Sequence, residues 1–168
     1  MRIAVLGAGS IGCLIAAKLV EAGHEVLVHA RGEHGATLAI SGLKVSGVWN
    51  FEVAPNQWTV SLDEAGIHPS MQKSFDQSII TCKAKDTEKL SQIAALITDG
   101  PVLSLQNGLG NLEILSRFVF ENSAVGVTTN AVKRIAPGQI EWVGKGSISV
   151  GGPKGEIFAE TLSMFDTG

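Results

Sequence analysis

Three glycines in the run Gly7-Ala8-Gly9-Ser10-Ile11-Gly12 stand between a short apolar segment and a stretch of helical periodicity. A turn of this kind leaves a chain few folds to choose from. Residues 2–6 are apolar after Arg2 and break at Gly7, as a buried strand does. Residues 10–22 carry Ile11, Leu14, Ile15, Leu19 and Val20 on or near one helical face, and Gly23 provides a C-terminal stop. Val26-Leu27-Val28 reads as a second buried strand. Strand, turn, helix and strand together make a βαβ unit. In that setting each glycine has its own task. Gly7 turns the chain sharply out of the strand, Gly9 lets a pyrophosphate approach the backbone, and Gly12 lets helix and strand pack closely. The pattern therefore predicts that Gly7, Ala8, Gly9, Ser10, Ile11 and Gly12 bind the pyrophosphate of a dinucleotide. Free amides and the positive end of the helix dipole would face the phosphates.

The second strand decides which dinucleotide is expected. In such sites an acidic residue about 20 positions further on holds the adenosine ribose. Here that place reads His29-Ala30-Arg31, without a carboxylate at the strand end. An arginine there pairs with a 2′-phosphate and stacks on adenine, which points to NADP(H). Glu33 lies two residues beyond and is within reach of a ribose hydroxyl; an arginine merely held in water is the plain alternative for Arg31.

Alternation of strands and helices continues along the chain. Leu43–Val53 reads as a hairpin on the sheet edge, and residues 54–74 mainly as loop with a short helix near residues 62–65. Ser78–Cys82 is a strand, 86–98 a helix with Leu90, Ile93, Ala94 and Ile97 on its buried stripe, and Val102–Leu105 a strand. A helix follows from about Asn111 to Val119, then strands at 124–131, 139–143 and 147–150, and a short helix at 156–165. The expected fold is α/β: a Rossmann-type doubly wound, mostly parallel sheet with helices on both faces, spanning 1–168 as one domain. The late strands would extend that sheet.

Ligands of this fold lie over the carboxyl ends of the strands. Two further strand ends there are polar: Thr81-Cys82-Lys83-Ala84-Lys85 and Ser104-Leu105-Gln106-Asn107-Gly108-Leu109-Gly110. Lys83 emerges at the cofactor edge, where an ammonium holds a carboxylate or carbonyl oxygen. Asn107 offers a donor and an acceptor for a ribose hydroxyl and a substrate oxygen. Alone, these residues would read as a surface lysine and a helix N-cap.

Taken together, the glycine turn, Arg31, Thr81-Cys82-Lys83-Ala84, Leu105-Gln106-Asn107-Gly108-Leu109-Gly110 and Gly126-Val127-Thr128-Thr129-Asn130-Ala131 resemble the N-terminal domain of ketopantoate reductases. The resemblance runs over almost the whole chain. It implies reduction of ketopantoate to pantoate by NADPH on the route to pantothenate and coenzyme A, with a reductase of another 2-oxo acid as the nearest alternative. It also implies that Lys83 and Asn107 act at the nicotinamide and the substrate. Thr129 and Asn130 are expected near that cleft. The family's helical second domain, with its general-acid lysine and substrate-holding glutamate, is expected to be missing here. The chain alone would then bind cofactor and turn over slowly or not at all, and the surface left by the absent domain would favour self-association. A non-catalytic NADP-binding module is the alternative from another class.

Composition narrows the setting. Thirteen basic against sixteen acidic residues give a net charge of −3, which offers neither nucleic acid nor an anionic membrane a basic face. No apolar run reaches the ~20 residues that span a bilayer, and the N-terminal run is too short for a secretory signal. Two cysteines suit a reducing cytoplasm. Cys82 and Cys13 read as packing residues. The four histidines show no metal-ligand spacing, so no metal is expected; His29 is placed near the adenosine, and His24, His34 and His68 on the surface.

Overall fold

The first apolar run forms β1 (Arg2–Leu6), with Ile3 to Leu6 wholly buried. Its side chains alternate between two cores: Ile3 and Val5 enter one, Ala4 and Leu6 the other. A strand apolar on both sides needs cover on both sides. A computed structural model, which describes residues 1–106 and 110–165, shows how that cover is made. Cys13, Leu14, Ile15 and Leu19 of α1 (Ser10–Glu21) and Leu38 of α2 (Gly32–Ser41) fill the first core, with Phe158 of α5 (Gly155–Thr161). Leu90, Ala94 and Ile97 of α3 (Thr87–Ile97) and Leu115 of α4 (Asn111–Val119) fill the second.

The main sheet has seven strands. Their order is β11 (Ile148–Gly151), β8 (Ser123–Thr128), β7 (Val102–Leu105), β6 (Gln77–Ile80), β1, β2 (Glu25–Ala30) and β5 (Thr59–Leu62). All pairs are parallel except β8 with β11. The chain runs outward from β1 through β2 to β5, then returns to lay β6 on the other side of β1. Strand order thus reverses beside β1, where ligand crevices open in such sheets. This is the doubly wound arrangement expected.

A second, four-stranded sheet was not expected. It runs β4 (Phe51–Val53), β3 (Leu43–Gly47), β10 (Gln139–Gly144), β9 (Ala131–Ala136). The hairpin β3–β4 is present but lies in this sheet, not on the edge of the main one. Of the late strands, β8 and β11 extend the main sheet, while β9 and β10 join β3. Val45, Val53, Ile140 and Trp142 of the second sheet share the first core with α1. With a sheet on each side, α1 buries Gly12 through Ala17 without a break, where one face alone was expected.

Two elements depart from the expected loops. β5 pairs in parallel with β2 inside the segment read mainly as loop, and a 3-10 turn at Asp63–Ala65 stands where the short helix was placed. α2 begins directly after Arg31, and its glycines at 32 and 35 hide it from propensity.

Candidate functional site

The glycine turn leaves β1 through Gly7, whose φ of +111° a side-chain-bearing residue would resist. Gly9 then caps α1 without any side-chain hydrogen bond. Among the described residues, the amides of Ser10, Ile11 and Gly12 meet no acceptor; the first backbone bond is Cys13 N–H to the Gly9 carbonyl. These are the donors a helix offers to an anion. A Cβ on Gly9 would meet nothing within 4 Å, so the space over the turn is open. A Cβ on Gly12 would overlap the Gly7 carbonyl oxygen. The Thr81 hydroxyl donates to that same carbonyl at 2.7 Å, tying the end of β6 to the turn. Shape and free donors both fit a dinucleotide pyrophosphate.

A cleft of about 490 Å³ opens here, lined by Gly7, Ala8 and Gly9 on its floor. Arg31 stands on one rim, exposed, with its guanidinium 3.5 Å from Asp86. Lys83 lines the same rim, exposed and without an ion pair among the described residues. Asn107 lies outside the described residues. Its neighbour Gln106 is buried and knots the two strand ends together. Its amide nitrogen donates to the Cys82 carbonyl at 2.8 Å and the Thr87 hydroxyl at 3.0 Å, and its oxygen accepts from Ser104 at 2.5 Å. Cys82 is inert there: burial, with Asp86 nearby, pushes its thiol up to about 11.

Carboxylates do stand beside the end of β2, carried by the turn after β5. Buried His29 contacts Ser61 Oγ at 3.0 Å and Asp63 at 3.1 Å, and Lys89 donates to Asp63 at 2.8 Å. The Lys89 and His29 hydrogen bonds hold the Asp63 carboxyl below its ordinary range. Glu64 accepts the Gly32 amide at 2.7 Å, which also lowers its carboxyl. β5 had no periodic signal, so the sequence reading put these two residues in a short helix and not beside the end of β2.

A sequence model described as ketopantoate reductase PanE/ApbA matches residues 3–155. The chain belongs to the ketopantoate reductase family. It is 34% identical to a 2-dehydropantoate 2-reductase of Pyrococcus horikoshii, over 99% of this chain and 53% of that protein. The counterpart in Archaeoglobus fulgidus is 33% identical over 95% of this chain and 50% of that protein. The chain thus spans about half the length of these relatives. Among solved structures, a D-mandelate dehydrogenase with NADH and anilino(oxo)acetate superposes at a TM-score of 0.83 and 28% identity, over 99% of this chain and 55% of that one. A ketopantoate reductase from Ralstonia eutropha gives 0.81 and 28%, over 98% and 54%.

In this ketopantoate reductase family member the motif residues sit around one cleft. Gly7, Ala8, Gly9, Arg31 and Lys83 line it, while Ser10, Ile11 and Gly12 form the first turn of α1 directly after Gly9 and are not among its lining residues. Thr129 and Asn130 do not line it. They lie past the carboxyl end of β8 and spend their polar atoms on the fold, Asn130 Oδ1 accepting the Gly146 amide at 2.8 Å and Thr129 Oγ1 the Ser147 amide at 2.9 Å. His34, expected on the surface, is buried: Nε2–H donates to the Ala8 carbonyl at 2.7 Å, and Nδ1 accepts the Gly138 amide at 3.0 Å. Burial chiefly lowers its pKa from the usual value. Arg134, on β9, also lines the cleft. No motif marks either residue; both depend on the second sheet.

Proposed function

We propose that this chain is the NADP(H)-binding half of a cytoplasmic ketopantoate reductase. The observation that carries the reading is the donor-rich first turn of α1, opening on a cleft whose rim bears Arg31 and Lys83. In this reading Ser10, Ile11 and Gly12 hold the pyrophosphate through their amides, and Arg31 exchanges Asp86 for the 2′-phosphate. Lys83 directs its ammonium at the carboxylate or ketone oxygen of a 2-oxo acid, and Asn107 holds the ribose and the same oxygen. The bound nicotinamide supplies a hydride to the ketone carbon. Lys83 stabilises the oxygen on which negative charge grows, but a proton donor and a wall against water are also needed. The family resemblance puts those on the helical half that the longer relatives carry. The described residues contain no helix long and apolar enough to cross a membrane.

Calorimetric titration tests the cofactor assignment. NADPH is expected to bind at least tenfold more tightly than NADH, and Arg31→Gln to erase that preference while leaving NADH binding intact. Equal binding of both nucleotides by the unaltered chain would overturn the NADP(H) assignment. Ketopantoate added to the chain with NADPH is expected to cause slow oxidation or none; rapid turnover would contradict the need for a second half.

A further inference from the structure

Four cations line the cleft: Arg31, Lys83, Lys89 and Arg134. Arg31 is paired with Asp86, and Lys89 with Asp63. Lys83 and Arg134 have no ion pair among the described residues. Lys83 has a place in the proposed reaction; Arg134 has none.

Its position follows from the second sheet. Opposed residues of an antiparallel pair share a face. Lys133 lies opposite Glu141 on one face of β9 and β10 and pairs with it at 3.4 Å. Arg134 lies opposite Ile140, which is wholly buried on the face turned to α1. On edge strand β9 that face ends at the cleft. The Arg134 charge is felt at both Cys13 and His34, the two side chains that contact the Ala8 carbonyl. One imidazole fixes this arrangement, since His34 joins Ala8 of the glycine turn to Gly138 of the β9–β10 turn. The unpaired guanidinium therefore lines the same cleft as Gly7, Ala8 and Gly9, next to the helix turn whose amides are free.

We propose that Arg134 is a phosphate ligand of the bound dinucleotide, supplied by the second sheet and lying outside the glycine motif. The proposal rests on the cofactor reading above. A guanidinium offers a phosphate two parallel N–H donors together with a full charge. Both the pyrophosphate and a 2′-phosphate present that chemistry, and the choice of nucleotide separates them.

The experiment is titration of NADPH and NADH into the chain and its Arg134→Gln and Arg134→Lys variants, with thermal melts of each. Arg134 is exposed, so the melting temperatures should agree. Arg134→Gln is expected to weaken binding about tenfold, with Arg134→Lys recovering part of the loss. A loss shared by both nucleotides assigns the pyrophosphate, and a loss confined to NADPH assigns the 2′-phosphate; either supports the proposal. If the unaltered chain binds and Arg134→Gln stays within twofold for both, the proposal fails while the cofactor reading stands. If the unaltered chain binds neither nucleotide, both fall.

Discussion

Gly9 and Gly12 look alike in the motif, yet the space around them differs. A methyl group on Gly12 would collide with the Gly7 carbonyl and stand 2.5 Å from Thr81 Oγ1. The backbone must shift, and overpacking of this kind costs roughly 1–3 kcal/mol. A methyl group on Gly9 meets nothing within 4 Å, because it projects into the space that the proposed phosphates occupy. Gly12→Ala is accordingly expected to lower both the melting temperature and NADPH affinity. Gly9→Ala should leave the melting temperature unchanged and weaken NADPH at least tenfold. Melts and titrations on the two variants check this, and a Gly9→Ala chain that binds normally would refute the pyrophosphate placement. The close packing at Gly12 and the open space at Gly9 were legible in sequence because they follow from the size of one atom group at fixed spacing. Those of His34 and Arg134 were not, since each depends on a strand that joins the site from about a hundred residues away.

Among the elements, α2 bears the most on the site while being nearly silent in sequence. Gly32 and Gly35 weaken its propensity, and only Leu38 of its apolar side chains is wholly buried. Short β5 escaped for a similar reason, with four residues of mixed polarity at a sheet edge. The His34 ring between Ala8 and Gly138 ties α2 to both sides of the site, a bridge that needs one donor and one acceptor and hence a neutral imidazole. Cys13 at 3.4 Å and Arg134 are the other ionisable groups facing it, and the Cys13 thiol, pushed up to about 12 by burial, stays protonated. The unfolded ring takes up a proton near its usual pKa of about 6.5, while the folded ring does so only at lower pH. Between those values the unfolded state binds more protons, so stability is full above the unfolded pKa and declines as pH falls toward the folded one. Urea unfolding between about pH 7.5 and about pH 5 should show this decline in the unaltered chain and a shallower one in His34→Gln. His24, whose pKa is also lowered, contributes equally to both proteins and cancels. Identical slopes would show that His34 is not the linked group.

For the whole molecule, the decisive fact is that α1 is shared. The seven-stranded sheet packs on one side of it and the four-stranded sheet on the other, within one continuous core. The parallel half of this was readable, since each βα unit announces itself locally through an apolar run, a turn and a periodic helix. The second sheet was not, because β3 pairs with β10, setting Lys44 against Gln139 from opposite ends of the chain. A shared helix implies that neither sheet keeps the core around α1 if the other opens, so unfolding should be a single transition. A ligand held at the N-terminus of α1 would then stabilise both sheets. NADPH at a hundred times its dissociation constant adds about 2.7 kcal/mol to the folded state. For a domain of this length that corresponds to a rise of roughly 5–10 °C in melting temperature. Scanning calorimetry with and without NADPH tests both statements. Two resolved transitions, with the nucleotide moving only one of them, would mean that the sheets fold separately and that α1 belongs to just one of them.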